Sequence, residues 1–130
     1  MGTKIVIVDD SRIARAQVAQ ILTDAGYDVV EAVDGRDGIE KIAAHRDAAM
    51  IVCDVNMPVM NGLDMLAAIK ADKAVASIPF VLLTTEAQPE LIQQARAGGA
   101  LGWLIKPVKG ELLLSAVKKI AGIPRLAKGA

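Results

Sequence analysis

The chain has 130 residues, 53% of them hydrophobic, so it forms one domain of ordinary size that can bury a core without a disulfide or metal staple. Lys plus Arg balances Asp plus Glu at 15 each, which removes the electrostatic case for a nucleic-acid or anionic-membrane partner. One cysteine and one histidine exclude a disulfide framework, a cysteine-based zinc site and a histidine-rich metal centre.

No apolar run approaches the ~20 residues of a membrane span, and no basic-then-apolar signal segment opens the chain. A soluble, cytoplasmic, monomeric domain is the expectation. Lys4 to Val8 is β-branched and almost wholly apolar, the composition of a strand buried on both faces, and it stops at Asp9-Asp10-Ser11. Ala14, Val18, Ile21, Leu22 and Ala25 then share one face of a helix that Gly26 ends. Tyr27 to Ala32 alternates weakly, as a strand nearer the sheet edge does. After the Asp34-Gly35 turn comes a second helix with Ile39, Ile42 and Ala43 inward and His45 exposed and idle near its end.

A third apolar strand, Ala49 to Cys53, ends at Asp54; Asn56 to Gly62 is a loop, and Leu63, Leu66 and Ala67 open a third helix. Phe80 to Leu83 is a strand ending at Thr84-Thr85-Glu86. Pro89 suits the first turn of a fourth helix, which Gly98-Gly99 ends. Leu101 to Ile105 is a fifth strand ending at Lys106-Pro107, and Leu113, Ala116, Val117 and Ile120 mark a last helix. Residues 1–122 are expected to form the domain and 123–130 a short frayed tail, with no output domain.

Five strands alternating with five helices predict an α/β doubly wound fold, a parallel sheet with right-handed crossovers and helices on both faces. Ligands of such sheets bind outside the carboxyl ends of the strands. Those ends carry Asp9 and Asp10, Asp54, Thr84 and Lys106. Three carboxylates brought together repel unless protons stay on or a cation binds between them. Oxygen-only donors favour a hard ion, Mg²⁺ before Ca²⁺ because few protein ligands are on offer. Asp54 beside such an ion is an ionised nucleophile, Lys106 a point charge for one phosphoryl oxygen and Thr84 a donor to another. The constellation suits phosphoryl transfer to an aspartate. Cys53 precedes Asp54 on its strand, so it points away from the site and fills core, and Met57 and Met60 are loop and core contacts.

Four segments at strand ends carry a resemblance: Val8-Asp9-Asp10-Ser11, Asp54-Val55-Asn56-Met57-Pro58-Val59-Met60-Asn61-Gly62, Thr84-Thr85-Glu86 and Gly102-Trp103-Leu104-Ile105-Lys106-Pro107. They resemble response-regulator receiver domains, in particular the single-domain chemotaxis receivers, over about Lys4 to Ala121. The resemblance implies a flavodoxin-like (βα)5 sheet of order 2-1-3-4-5 and a stand-alone response regulator. Asp54 would be phosphorylated by a histidine kinase, with the chemotaxis kinase CheA the first candidate. Mg²⁺ would be held by Asp10, Asp54 and the backbone carbonyl of Asn56, with Asp9 acting mostly through water.

Thr84 and Trp103 are implied as a switch pair. They would reshape the surface of the fourth helix, fifth strand and fifth helix for a downstream protein, the flagellar motor switch first among the guesses. The Lys106–Pro107 bond is expected to be cis. Autodephosphorylation would be tuned by Asn56 and Glu86. Two residues depart from the family's pattern. Trp103 is bulkier than the usual Tyr or Phe, and Thr85 stands where Ala or Gly is usual, with a methyl and a hydroxyl that can narrow access to the phosphoryl site.

Other readings share parts of this pattern. A Mg²⁺-dependent phosphatase of the haloacid dehalogenase type needs Asp-x-Asp, and Asn56 cannot serve as its acid. A flavodoxin-like nucleotide binder needs backbone donors and hydroxyls after the first strand, where this chain is acidic. A phosphate sink or phosphorelay intermediate would carry the same site as a motor-binding receiver.

Overall fold

Stiff Val and Ile side chains fill the strands and helix formers fill the intervals between them. The result, in a computed structural model that describes residues 3–57, 60–85 and 88–123, is a five-stranded parallel sheet. Its strands are β1 (Lys4–Val8), β2 (Asp28–Ala32), β3 (Met50–Asp54), β4 (Phe80–Thr84) and β5 (Gly102–Ile105), in the order β2-β1-β3-β4-β5. Helices α1 (Arg12–Asp24), α2 (Gly35–Ala44), α3 (Gly62–Ala71), α4 (Pro89–Ala97) and α5 (Gly110–Ala121) alternate with them. This is the doubly wound order expected above.

Strand alternation sorts the core into two layers. Val6, Val8, Ile51, Cys53, Phe80 and Leu82 face α2, α3 and α4, where Ile42, Leu66, Ile69 and Ala95 meet them. Ile5, Ile7, Met50, Val52, Val81 and Leu83 face α1 and α5 through Val18, Leu22, Leu113 and Val117. Every residue of β3 and β4 is buried, as sheet strands covered on both faces must be. At ~2 kcal/mol for each fully buried aliphatic side chain, these two layers dominate the folding free energy.

Local chemistry sets the ends of the elements. Ser11, Asp34 and Asn61 are N-caps whose side chains accept from the backbone N–H groups of Ala14, Asp37 and Asp64. Gly26, with φ of 100°, reverses the chain after α1 in a conformation that disfavours any side chain. Pro89 occupies the first turn of α4, as expected.

Three expectations fail. Ala43 is exposed, and Gly38 takes the inward place on α2, where a Cβ would lie 2.8 Å from the Met65 methyl and 3.0 Å from a Val8 methyl. His45 is half-buried rather than exposed and idle. Its Nδ1 lies 3.1 Å from the Lys4 ammonium, which also donates to Asp47 at 3.0 Å. Tyr27 precedes β2 instead of opening it; its ring is buried and its hydroxyl donates to the Gly122 carbonyl at 2.7 Å. Glu86, Pro58, Val59 and most of the expected tail lie outside the described residues.

Candidate phosphoryl-transfer site

The 2-1-3-4-5 order places β1 beside β3, so Asp9 and Asp54 leave neighbouring strands at the same edge of the sheet. Thr84 ends β4, Lys106 follows β5, and the ladder pairs Asp54 with Leu83 and Thr84 with Ile105. The structure therefore brings together Asp9, Asp10, Asp54, Thr84 and Lys106.

Asp9 is fully buried, and three groups fix it. Its N–H donates to the Ala32 carbonyl at 3.1 Å, its Oδ1 accepts from the Ser11 N–H at 2.9 Å, and its carbonyl accepts from Arg15 Nη1 at 2.8 Å. Arg15 Nε also donates to Glu31 at 3.1 Å, so one α1 side chain ties the loop after β1 to β2. Sequence reasoning missed Arg15. Asp10, next along, is exposed and presents its carboxylate to solvent.

Asp54 is 4% exposed. Lys106 Nζ stands between the two buried acids, 2.8 Å from Asp9 Oδ2 and 3.2 Å from Asp54 Oδ1. The Asp9 contact is a charge pair, since Oδ2 receives no well-directed hydrogen bond. Burial pushes the Asp54 carboxyl above its ordinary range, the Asp9 charge pushes it further, and Lys106 only partly offsets them. Burial alone would lower Lys106; its contacts with Asp9 and Asp54 outweigh that and hold the ammonium above its ordinary value.

Oxygens of Asp9, Asp10 and Asp54 all lie within 4.8 Å of one another. Three carboxylates against one ammonium leave two negative charges uncompensated, which suits a divalent cation. Donors that are oxygen alone suit a hard one, and exposed Asp10 gives it an entry path.

Asn56 is exposed and lines a cavity of about 270 Å³ with Val55, Thr84, Thr85, Gln88 and Leu91. A second cavity, about 240 Å³, lies between α1 and the segment Lys106 to Val108. Exposed Thr85 borders both, so it stands at the approaches to the acids rather than among them. Thr84 is 2% exposed. Trp103 is half-buried on the α4 side of the sheet, and the Lys106–Pro107 peptide is cis. Cys53 is buried facing α3, its Sγ 3.6 Å from Met65 Sδ, on the opposite face from its neighbour Asp54.

The profile of the response regulator receiver domain matches residues 5–118. The chain is 33% identical to chemotaxis protein CheY1 of Helicobacter pylori over 120 residues, 92% of this chain and 97% of that one. It is 33% identical to chemotaxis protein CheY of Pseudomonas aeruginosa over 118 residues, 90% of this chain and 94% of the other. The solved structure of Vibrio cholerae chemotaxis protein CheY4 superposes with a TM-score of 0.86 at 41% identity, covering 91% of this chain and 98% of that one. Among the described residues no helix is long and apolar enough to cross a membrane.

Proposed function

Because the chain belongs to the response regulator receiver domain family, we propose that it is a phosphorylation switch in which Asp54 accepts a phosphoryl group from a histidine kinase. The Lys106 ammonium between Asp9 and Asp54 carries this reading. It stands where it can pair with a phosphoryl oxygen, half-buried beside two acids rather than one. A carboxylate oxygen of Asp54 forms the new bond to phosphorus as the bond to the donor nitrogen breaks, and the donor imidazole leaves.

Mg²⁺ held by Asp10, Asp54 and the Asn56 carbonyl, with Asp9 behind them, would neutralise the phosphoryl oxygens when bound. The chain's own part is alignment and charge. Asp9 keeps Lys106 in place, Arg15 and Ser11 keep Asp9 in place, and Thr84 offers its hydroxyl from the end of β4. Once formed, the acyl phosphate carries nearly two negative charges on three oxygens set further out than the carboxylate it replaces, and these draw Lys106 and Thr84. Trp103 follows, and the surface of α4, β5 and α5 shifts toward its target-binding form. Asn56, beside the cavity that Thr84 also lines, tunes hydrolysis of the acyl phosphate together with Glu86.

The relatives' names support chemotaxis as the pathway; a flagellar motor component as the target and the cytoplasm as the location complete the proposal. The test is an intact mass spectrum after incubation with acetyl phosphate and Mg²⁺, run beside Asp54→Asn. One added phosphate is expected in the wild type, only with metal, and none in the variant. Equal phosphate uptake by Asp54→Asn would show that the acceptor is another residue.

A further inference from the structure

Trp103 pairs in register with Leu82, and Thr84 lies one diagonal step further along β4 on the same face of the sheet. The indole packs partly into the layer beneath α4. Its other contact comes from Arg96 in the last turn of that helix, whose guanidinium carbon stands 5.6 Å from the ring centroid. That is within the ~6 Å reach of a cation–π interaction. Arg96 is exposed, and none of the ion pairs among the described residues includes it. Its charge is therefore spent on the ring and on the helix C-terminus, whose carbonyls favour a cation.

On the same face, toward the phosphoryl-transfer site, the cavity of about 270 Å³ opens between Thr84 and Leu91. A ring that turns toward Thr84 enters that space and leaves the guanidinium behind. The cation–π contact belongs to the outward position that the structure holds, and an indole turned toward Thr84 would give it up.

We propose that Arg96 is a latch on Trp103, a positioning residue that holds the indole on the α4–β5 surface and raises the phosphoryl charge needed to switch it. The proposal rests on the receiver reading, since it concerns how that site is read out. A cation–π contact of ordinary strength corresponds to an equilibrium bias of about two- to fivefold. It also accounts for the bulkier residue at this position. Trp offers the strongest cation–π face among the aromatics, so the ring and the arginine act as a pair.

Trp103 is the chain's one tryptophan, so its emission reports the ring directly. Beryllofluoride, a phosphoryl mimic, is titrated with Mg²⁺ into the wild type, Arg96→Ala, Arg96→Gln and Arg96→Lys, and acrylamide quenching is measured with neither metal nor fluoride present. Alanine suits an exposed helix position, so folding is not at stake. Arg96→Ala and Arg96→Gln should lower the half-saturating beryllofluoride concentration about two- to fivefold, and Arg96→Lys should restore part of it. Quenching of the metal-free protein should change in the same rank order. Midpoints unchanged in both neutral variants, or a shift that Lys shares in full, would overturn the latch. If the wild type ignores beryllofluoride, the receiver reading falls, and unchanged metal-free quenching in Arg96→Ala then overturns the latch separately.

Discussion

Asp54 carries its charge against its surroundings, because burial and the Asp9 carboxylate both favour the protonated form and Lys106 only partly corrects them. In the unfolded chain a carboxyl titrates near ~3.9. The native state therefore holds the Asp54 proton to higher pH than the unfolded state does. Metal-free stability falls as pH rises from the unfolded value through the raised folded one, and the loss is complete above it. Asp54→Asn should melt higher than the wild type at about pH 7, with the advantage shrinking toward about pH 4. Thermal unfolding in a chelator checks this, and a difference that stays constant with pH would contradict it. At this scale the acids, Thr84 and Lys106 are legible because each stands at or just past the end of a strand. Arg15 is not, since its partners Asp9 and Glu31 stand 6 and 16 positions away and nothing local marks it. His45 escapes a local reading for the same reason, its contact to Lys4 spanning 41 positions.

Among the elements, the start of α3 presses directly on the acceptor's backbone. A Cβ on Gly62 would lie 2.5 Å from the Asp54 carbonyl oxygen and 2.9 Å from the Val55 Cα, backbone that cannot swing aside. Gly62→Ala should cost about 1–3 kcal/mol and displace Asp54, lowering its phosphorylation rate as well. Gly102 on β5 has nothing within 4 Å of a Cβ, so Gly102→Ala should leave both quantities nearly unchanged. Urea unfolding alongside acetyl phosphate kinetics separates the two; equal effects would refute the packing argument. All ten elements follow from periodicity and punctuation. The inward face of α2 does not, because a hydrophobic stripe points to Ala43 whereas a close approach of backbone to Val8 and Met65 requires Gly38. Periodicity registers apolar side chains and is blind to their deliberate absence.

For the whole molecule, folding assembles a cluster with two uncompensated negative charges, so a divalent ion held there would bind the native state alone. Mg²⁺ should raise the melting temperature of the wild type, by about 2.7 kcal/mol of stability at a hundredfold excess over its dissociation constant. Asp10→Asn should lose most of that gain, as scanning calorimetry with and without Mg²⁺ would show; an equal gain in the variant would place the ion elsewhere. The partner of the proposed α4–β5–α5 output surface is not legible in the sequence, because recognition depends on complementarity to a second protein.

Cys53 lies one residue from the acceptor on the central strand β3, sealed against Met65, and burial pushes its thiol well above the ordinary range. The folded protein should be inert there to alkylating reagents, which attack the thiolate. Each molecule that does react is one whose middle strand has come apart, and with it the acidic cluster. The chain's single thiol is thus an internal clock for openings of the sheet, and whatever ligand steadies the neighbouring acids should slow it.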